Sequence, residues 1–209
     1  MKTSVINKSS LSDNIENDID NVLNNINERN PVKLREHTPN ILVRLGVKDL
    51  PMYSNPSKIR KNILTEQEAR NKRIKIHDDD NYHGLGKKTY IKAIDNLDKP
   101  IAILKSNKNN DYIVITEIKD NKGNKIVIPI EINATTRTND IDITNNRIKS
   151  IYGKSNICNF FNNELNSKTY DLIYKKVAGT RPILAAATSK DTRQYESNTR
   201  SANVFVDIQ

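Results

Sequence analysis

Tyr112-Ile113-Val114-Ile115-Thr116-Glu117-Ile118-Lys119, then Asn121-Lys122-Gly123-Asn124, then Lys125-Ile126-Val127-Ile128-Pro129-Ile130-Glu131-Ile132: the reading of this stretch decides the fold. Both runs are rich in β-branched residues, and the polar, glycine-containing segment between them is a turn. Two such runs joined by a short turn form a hairpin, which makes the sheet antiparallel rather than parallel. Thr116 and Glu117 point to opposite faces of their strand, so either is a candidate to face a groove, although strand propensity explains Thr116 equally well.

Outward from the hairpin, Ile101-Ala102-Ile103-Leu104 is a short apolar run. Leu85, Tyr90, Ile91, Ile94 and Leu97 form an apolar stripe that predicts a helix over 85–97, stopped by Asp98-Lys99-Pro100. Downstream, 140–143 reads as a strand, 144–151 and 155–166 as short helices around Tyr152-Gly153, and 169–174 as a further strand. Ile183 to Ala187 is a short helix or strand, and Val204-Phe205-Val206 a closing strand.

Upstream, 11–28 reads as an amphipathic helix with Ser12 as its cap and Ile15, Ile19, Val22, Leu23 and Ile26 at helical spacing. It fits an N-terminal arm, a docking element or the first helix of the domain. Residues 31–54 read as a proline-punctuated connector in which Ile41 to Leu45 forms a short strand. Pro56 opens a basic helix through Leu64. The expected architecture is α+β, N-terminal helices followed by a small twisted antiparallel sheet.

With 209 residues, the chain holds one domain, or one domain plus an appendage, and can bury a core without disulfides. The formal net charge is +9, from 34 Lys+Arg against 25 Asp+Glu, while residues 1–30 are acidic. A basic body favours polyanions such as nucleic acid, an anionic surface or an acidic protein. Residues 57–75 carry Lys58, Arg60, Lys61, Arg70, Lys72, Arg73 and Lys75 against Glu66 and Glu68. That run reads as a phosphate-tracking patch or as a solvated face. The single Cys158 forms no intrachain bridge, and no Cys/His cluster has zinc spacing. With no apolar run approaching ~20 residues and no apolar leader, a soluble protein of a reducing cytoplasm is expected.

Several stretches together carry a family resemblance. They are Leu45-Gly46-Val47-Lys48-Asp49-Leu50-Pro51-Met52-Tyr53, Tyr82-His83-Gly84-Leu85-Gly86, Asp98 to Leu104, the hairpin 112–130, Ser150-Ile151-Tyr152-Gly153-Lys154, and Ser197-Asn198-Thr199-Arg200. In their order the chain resembles the C-terminal domains of MuF-type phage head proteins, grouped with the barnase, EndoU, colicin and RelE-like nucleases. The resemblance runs from about residue 45 to the C-terminus, and with it the chain divides into an N-terminal helix and linker (1–40) and a nuclease-like α+β domain (41–209). It implies an RNase-like fold working without metal or other cofactor, in the cytoplasm of a bacterial host or with the virion.

Cleaving RNA by internal transfer requires a base for the 2′-hydroxyl, an acid for the leaving oxygen and cations for the phosphorane. His83 is the candidate acid/base, since an imidazole titrates near ~6.5; a loop histidine bonded to a helix end looks the same. Lys87, one helical turn on, can hold phosphate or be a plain surface lysine. Tyr152 can stack on a base or pack on the sheet, Lys154 flanks the same turn, and Ser150 can bond a phosphate oxygen or cap a helix. Thr199 and Arg200 can bind phosphate, with Arg193 a weaker substitute. Asp78-Asp79-Asp80 is better explained by solvation than by a metal, and His37 and His77 read as structural.

The expected function is a metal-independent ribonuclease-like effector acting on cellular RNA, tRNA or other structured RNA included, with a host or immunity protein as a candidate partner. The alternative is a catalytically silent, phage-encoded counter-defence inhibitor, such as an anti-CRISPR, that binds a host nucleic-acid-processing protein. No membrane partner is expected.

Overall fold

The hairpin is the middle of the sheet. In the computed structural model, which describes residues 11–176, its strands are β4 (Asp111–Lys119) and β5 (Lys125–Thr138). Before them come α1 (Ile15–Asn24), β1 (Val32–Arg35), α2 (Asn40–Arg44), β2 (Met52–Ser54), α3 (Pro56–Ile63), α4 (Glu66–Asn71), α5 (Lys87–Asp95) and β3 (Ala102–Ser106). After them come β6 (Ile141–Ile148), β7 (Tyr152–Lys154), α6 (Ile157–Asn166) and β8 (Tyr170–Lys175). The fold is α+β: helices first, then an open 8-stranded sheet in the order β1-β2-β6-β5-β4-β3-β8, with β7 on β5. All its pairings are antiparallel except β2 with β6.

Strand alternation builds two cores. Ile126, Ile128, Ile130 and Ile132 face a cluster that includes Ile15, Ile19 and Val22 of α1, Ile59 and Ile63 of α3, and Tyr90 and Ile94 of α5. Val127 faces the other way, with Leu104, Ile113, Ile115 and Phe161 of α6. Burial on both faces is why the centre of β5 reads as an unbroken apolar run.

β5 serves two partners in turn. Its start pairs with β7 and its remainder with β6, and a bulge at Asn133, whose φ is 55°, interrupts the β6 pairing between Glu131 and Ala134. The Asn133 N–H donates to Asn146 Oδ1 at 3.0 Å, and Asn146 Nδ2 donates to Thr38 Oγ1 at 2.7 Å. Buried amides therefore hold β6 where polar residues suggested a helix over 144–151; the strand runs to Ile148.

Ile41 to Leu45, read as a strand, lies in α2 instead. Gly46 ends that helix with φ of 89°: its N–H donates to Val43 O and that of Val47 to Leu42 O, both at 3.0 Å. This is a Schellman closure, which only a helix can supply. Ser12 does not cap α1. Leu11 bridges Arg35 and the Ser12 N–H donates to Leu34 O at 3.1 Å, so the chain is extended there and the helix starts at Ile15. The elements expected at 183–187 and 204–206 lie outside the described residues.

Two buried arginines join helices to the rest. Arg60 Nε donates to Val22 O at 2.9 Å, and its Nη2 donates to Asn25 O at 2.9 Å and Glu28 O at 3.1 Å, capping α1. Arg35 Nη1 donates to Ile94 O at 2.9 Å at the end of α5, and its Nη2 pairs with Asp98 at 2.5 Å. In each case a guanidinium replaces the missing donors of a helix C-terminus.

Candidate functional site

The segment around His83 is built on the end of α3. The N–H groups of His83, Leu85, Gly86 and Gly84 donate to the carbonyls of Lys61, Asn62, Ile63 and Leu64 at 2.8, 3.0, 2.9 and 3.0 Å. Those carbonyls are the ones a helix end leaves without intrahelical donors. Gly84 has φ of +60°, and a Cβ there would lie 2.8 Å from Thr65 Cγ2, so the close approach of this loop to Thr65 requires glycine. The His83 backbone thus serves the fold, which leaves its ring as the part available for chemistry.

That ring is half-buried and stacks on Tyr152, with centroids 5.3 Å apart and planes at 29°. β7 makes the contact possible, because pairing with β5 sets Tyr152 opposite Val127. Burial pushes the imidazole below its ordinary value and the neighbouring Lys58 ammonium adds to the shift, so the neutral ring prevails at pH ~7. Burial likewise pushes the Tyr152 phenol up, which keeps it protonated and a donor. Beyond the turn, Lys154 Nζ sits 5.2 Å from the Phe160 ring centroid. Ser150 Oγ donates to Asn62 Oδ1 at 3.0 Å.

Four of the cations predicted to track phosphate are engaged within the protein: Arg60, Lys61, Arg70 and Lys87. Arg60 is buried on α1, so its guanidinium does not belong to a surface patch. Lys61 pairs with Asp80, and Arg70 with Glu66. Lys87 pairs with Asp20 at 2.7 Å and approaches Glu16 at 3.9 Å, which turns it toward α1. Lys58 and Arg73 are exposed and Lys72 half-exposed. Arg73 also has a backbone duty: its φ is 57° and its N–H closes α4 onto Arg70 O at 2.9 Å.

Asp80 is engaged by Lys61. The hydrogen bond from Lys61 holds its carboxyl below the usual range, helped by the His77 N–H at 3.1 Å. Among the described residues, no three His, Cys, Asp or Glu side chains are placed to hold a metal ion. His37 is exposed and meets Asp49 at 3.1 Å. Thr116 is buried, and Glu117 is exposed and paired with Lys176 at 2.8 Å. Thr199, Arg200 and Arg193 lie outside the described residues. The structure therefore joins His83 to Tyr152, sets Lys58 beside them, and diverts Arg60, Lys61, Arg70 and Lys87 elsewhere.

One cationic group lies outside the predicted set, where α5 meets the end of β4: Lys88, Lys92 and Lys119. Its signal was in the turn itself, since a hairpin closing through Asn121–Asn124 brings Lys119 opposite Lys125.

Residues 74–177, from just after α4 to just past β8, match the family model of the phage MuF-C-terminal domain, which supports a phage MuF-type domain in this part of the chain. No curated protein and no solved structure matches the chain. Among the described residues, no helix is long and apolar enough to cross a membrane.

Proposed function

We propose that the chain is a phage-borne effector of the metal-independent ribonuclease type, acting on host RNA with His83 as its base. The observation that carries this reading is the stack of His83 on Tyr152, two residues from distant parts of the sequence. A neutral imidazole takes the proton of a 2′-hydroxyl. The 2′-oxygen then attacks phosphorus, the P–O5′ bond breaks to leave a 2′,3′-cyclic phosphate, and the leaving 5′-oxygen takes the proton that the imidazolium carries, directly or through water. Tyr152, protonated and half-buried, offers a hydrogen bond or a ring face to the substrate. Thr199 and Arg200 complete the proposal as phosphate ligands, and RNA, including tRNA, in the bacterial cytoplasm is the proposed target.

The test is incubation of the purified chain with total RNA and with tRNA in EDTA. Cleavage is expected, with a loss of about 10²–10⁴-fold in His83→Ala. Wild-type rates in that variant overturn the assignment.

A second reading is favoured by the internal pairing of Lys61, Arg70 and Lys87 and the burial of Arg60. In it the chain is a silent counter-defence inhibitor that binds a host nucleic-acid-processing protein. Absence of RNA cleavage, with stoichiometric capture of one such host protein, selects it.

A further inference from the structure

Among the described residues, the fold gathers lysines that neighbouring carboxylates do not balance. A cleft of about 410 Å³ opens between α5 and the end of β4, lined by Lys88, Thr89, Lys92, Glu117, Ile118 and Lys119. Lys88 and Lys92 stand one turn apart on α5, a spacing at which like charges repel. On the sheet, Lys119 lies directly opposite Lys125, and Lys125 directly opposite Lys154. Like charges in directly opposed positions destabilise a sheet, and here they form a row across three strands.

Glu117 is the cleft's own carboxylate, and it is already shared. Lys176 pairs with it at 2.8 Å, and Lys125 Nζ donates to its backbone carbonyl at 3.1 Å. Asp120, the next carboxylate along the chain, is engaged by the turn: it accepts from the N–H groups of Lys122 and Asn124 at 2.9 and 2.8 Å. Burial lowers the Lys125 ammonium below its ordinary value; Glu117 opposes that, and Lys119 and Lys176 push it further down. Among the described residues the packing does not require this concentration of ammonium groups, since Lys88, Lys92 and Lys119 are exposed.

We infer that this cleft is a phosphate-binding site, in which Lys88 and Lys92 from the helix and Lys119 from the hairpin close on a phosphate-bearing anion, with Thr89 at its wall. The inference does not depend on the chemistry proposed for His83. The same ammonium cage takes a free phosphate compound or the backbone of a nucleic acid, so the experiment separates the two.

Inorganic pyrophosphate is titrated by calorimetry and a fluorescent single-stranded oligouridylate by anisotropy. Both are run against wild type, Lys92→Gln/Lys119→Gln, and a charge-matched control at the other end of the β3–β4 pair, Lys105→Gln/Lys108→Gln. Thermal unfolding first establishes that the variants, altered only at exposed lysines, are folded. The cleft variant is expected to lose about tenfold or more in affinity while the control changes little, and its salt slope for the oligonucleotide falls by about 0.7 per contact removed. Preference for the oligonucleotide assigns the site to nucleic-acid backbone, and preference for pyrophosphate to a free phosphate compound. Equal losses in both variants, or no binding of either ligand by wild type, overturn the inference. Because the readout is binding, an inactive chain leaves this result standing, and an active chain with an indifferent cleft defeats it alone.

Discussion

At the scale of single residues, the half-buried His83 ring has a consequence for stability. Its folded-state pKa lies below the ordinary value near ~6.5. Stability from the neutral ring is therefore fully present above ~6.5 and is lost as pH falls through the lower folded value, where the buried ring must charge. Urea midpoints followed from pH ~7.5 down to ~5 should fall more steeply for wild type than for His83→Gln, and superimposable curves refute the linkage. Gly153 gives a steric counterpart. A Cβ there would lie 1.9 Å from Asp120 Oδ2, and Asp120 cannot swing aside without releasing the hairpin amides of Lys122 and Asn124. Gly153→Ala should cost about 1–3 kcal/mol in chemical denaturation, and should also disturb Tyr152 next to it. That tyrosine was legible as a site candidate because a glycine turn follows it. Its contact with His83 was not, because the contact arises only from the pairing of β7 with β5.

At the scale of elements, what could be read was local and what could not was tertiary. The β4–β5 hairpin, the start of α3 at Pro56 and the body of α5 carry their signals within a few residues. β6 does not. Asn145 and Asn146 look like a polar surface until Thr38 and Lys48 O, about a hundred residues away, are seen to satisfy the buried Asn146 amide. The parallel pairing of β2 with β6 has the same long range. Charge counting misses tertiary partners for a related reason. A count of Lys and Arg over 57–75 is blind to Asp80 and to the carbonyls of α1, which claim Lys61 and Arg60. Arg60 can be tested as a helix cap. Arg60→Met keeps most of the buried volume but leaves the carbonyls of Val22, Asn25 and Glu28 without their donors. The loss should be about 3 kcal/mol, with amide exchange accelerating first at the C-terminal end of α1. A change of a few tenths would instead mark Arg60 as a surface cation.

At the scale of the whole molecule, the question is whether the acidic N-terminal helix is an accessory or part of the fold. The sequence permits either, since an amphipathic stripe says that one face is covered and not by what. The core answers in terms of neighbours: Ile15, Ile19 and Val22 share a cluster with Ile128 and Ile130 of the central strand. Lys87 reaches from α5 to Asp20, and Arg60 from α3 to the carbonyl end of α1. Three kinds of contact with three later segments are more than a tethered arm needs. Ile19 is fully buried, so Ile19→Ala removes apolar contacts from a core shared with the sheet. It should lower global stability by about 2–5 kcal/mol and reduce exchange protection of the Ile126 and Ile128 amides as much as that of α1 itself. An independent arm would behave otherwise: α1 alone would lose protection, and β5 would keep the wild-type value.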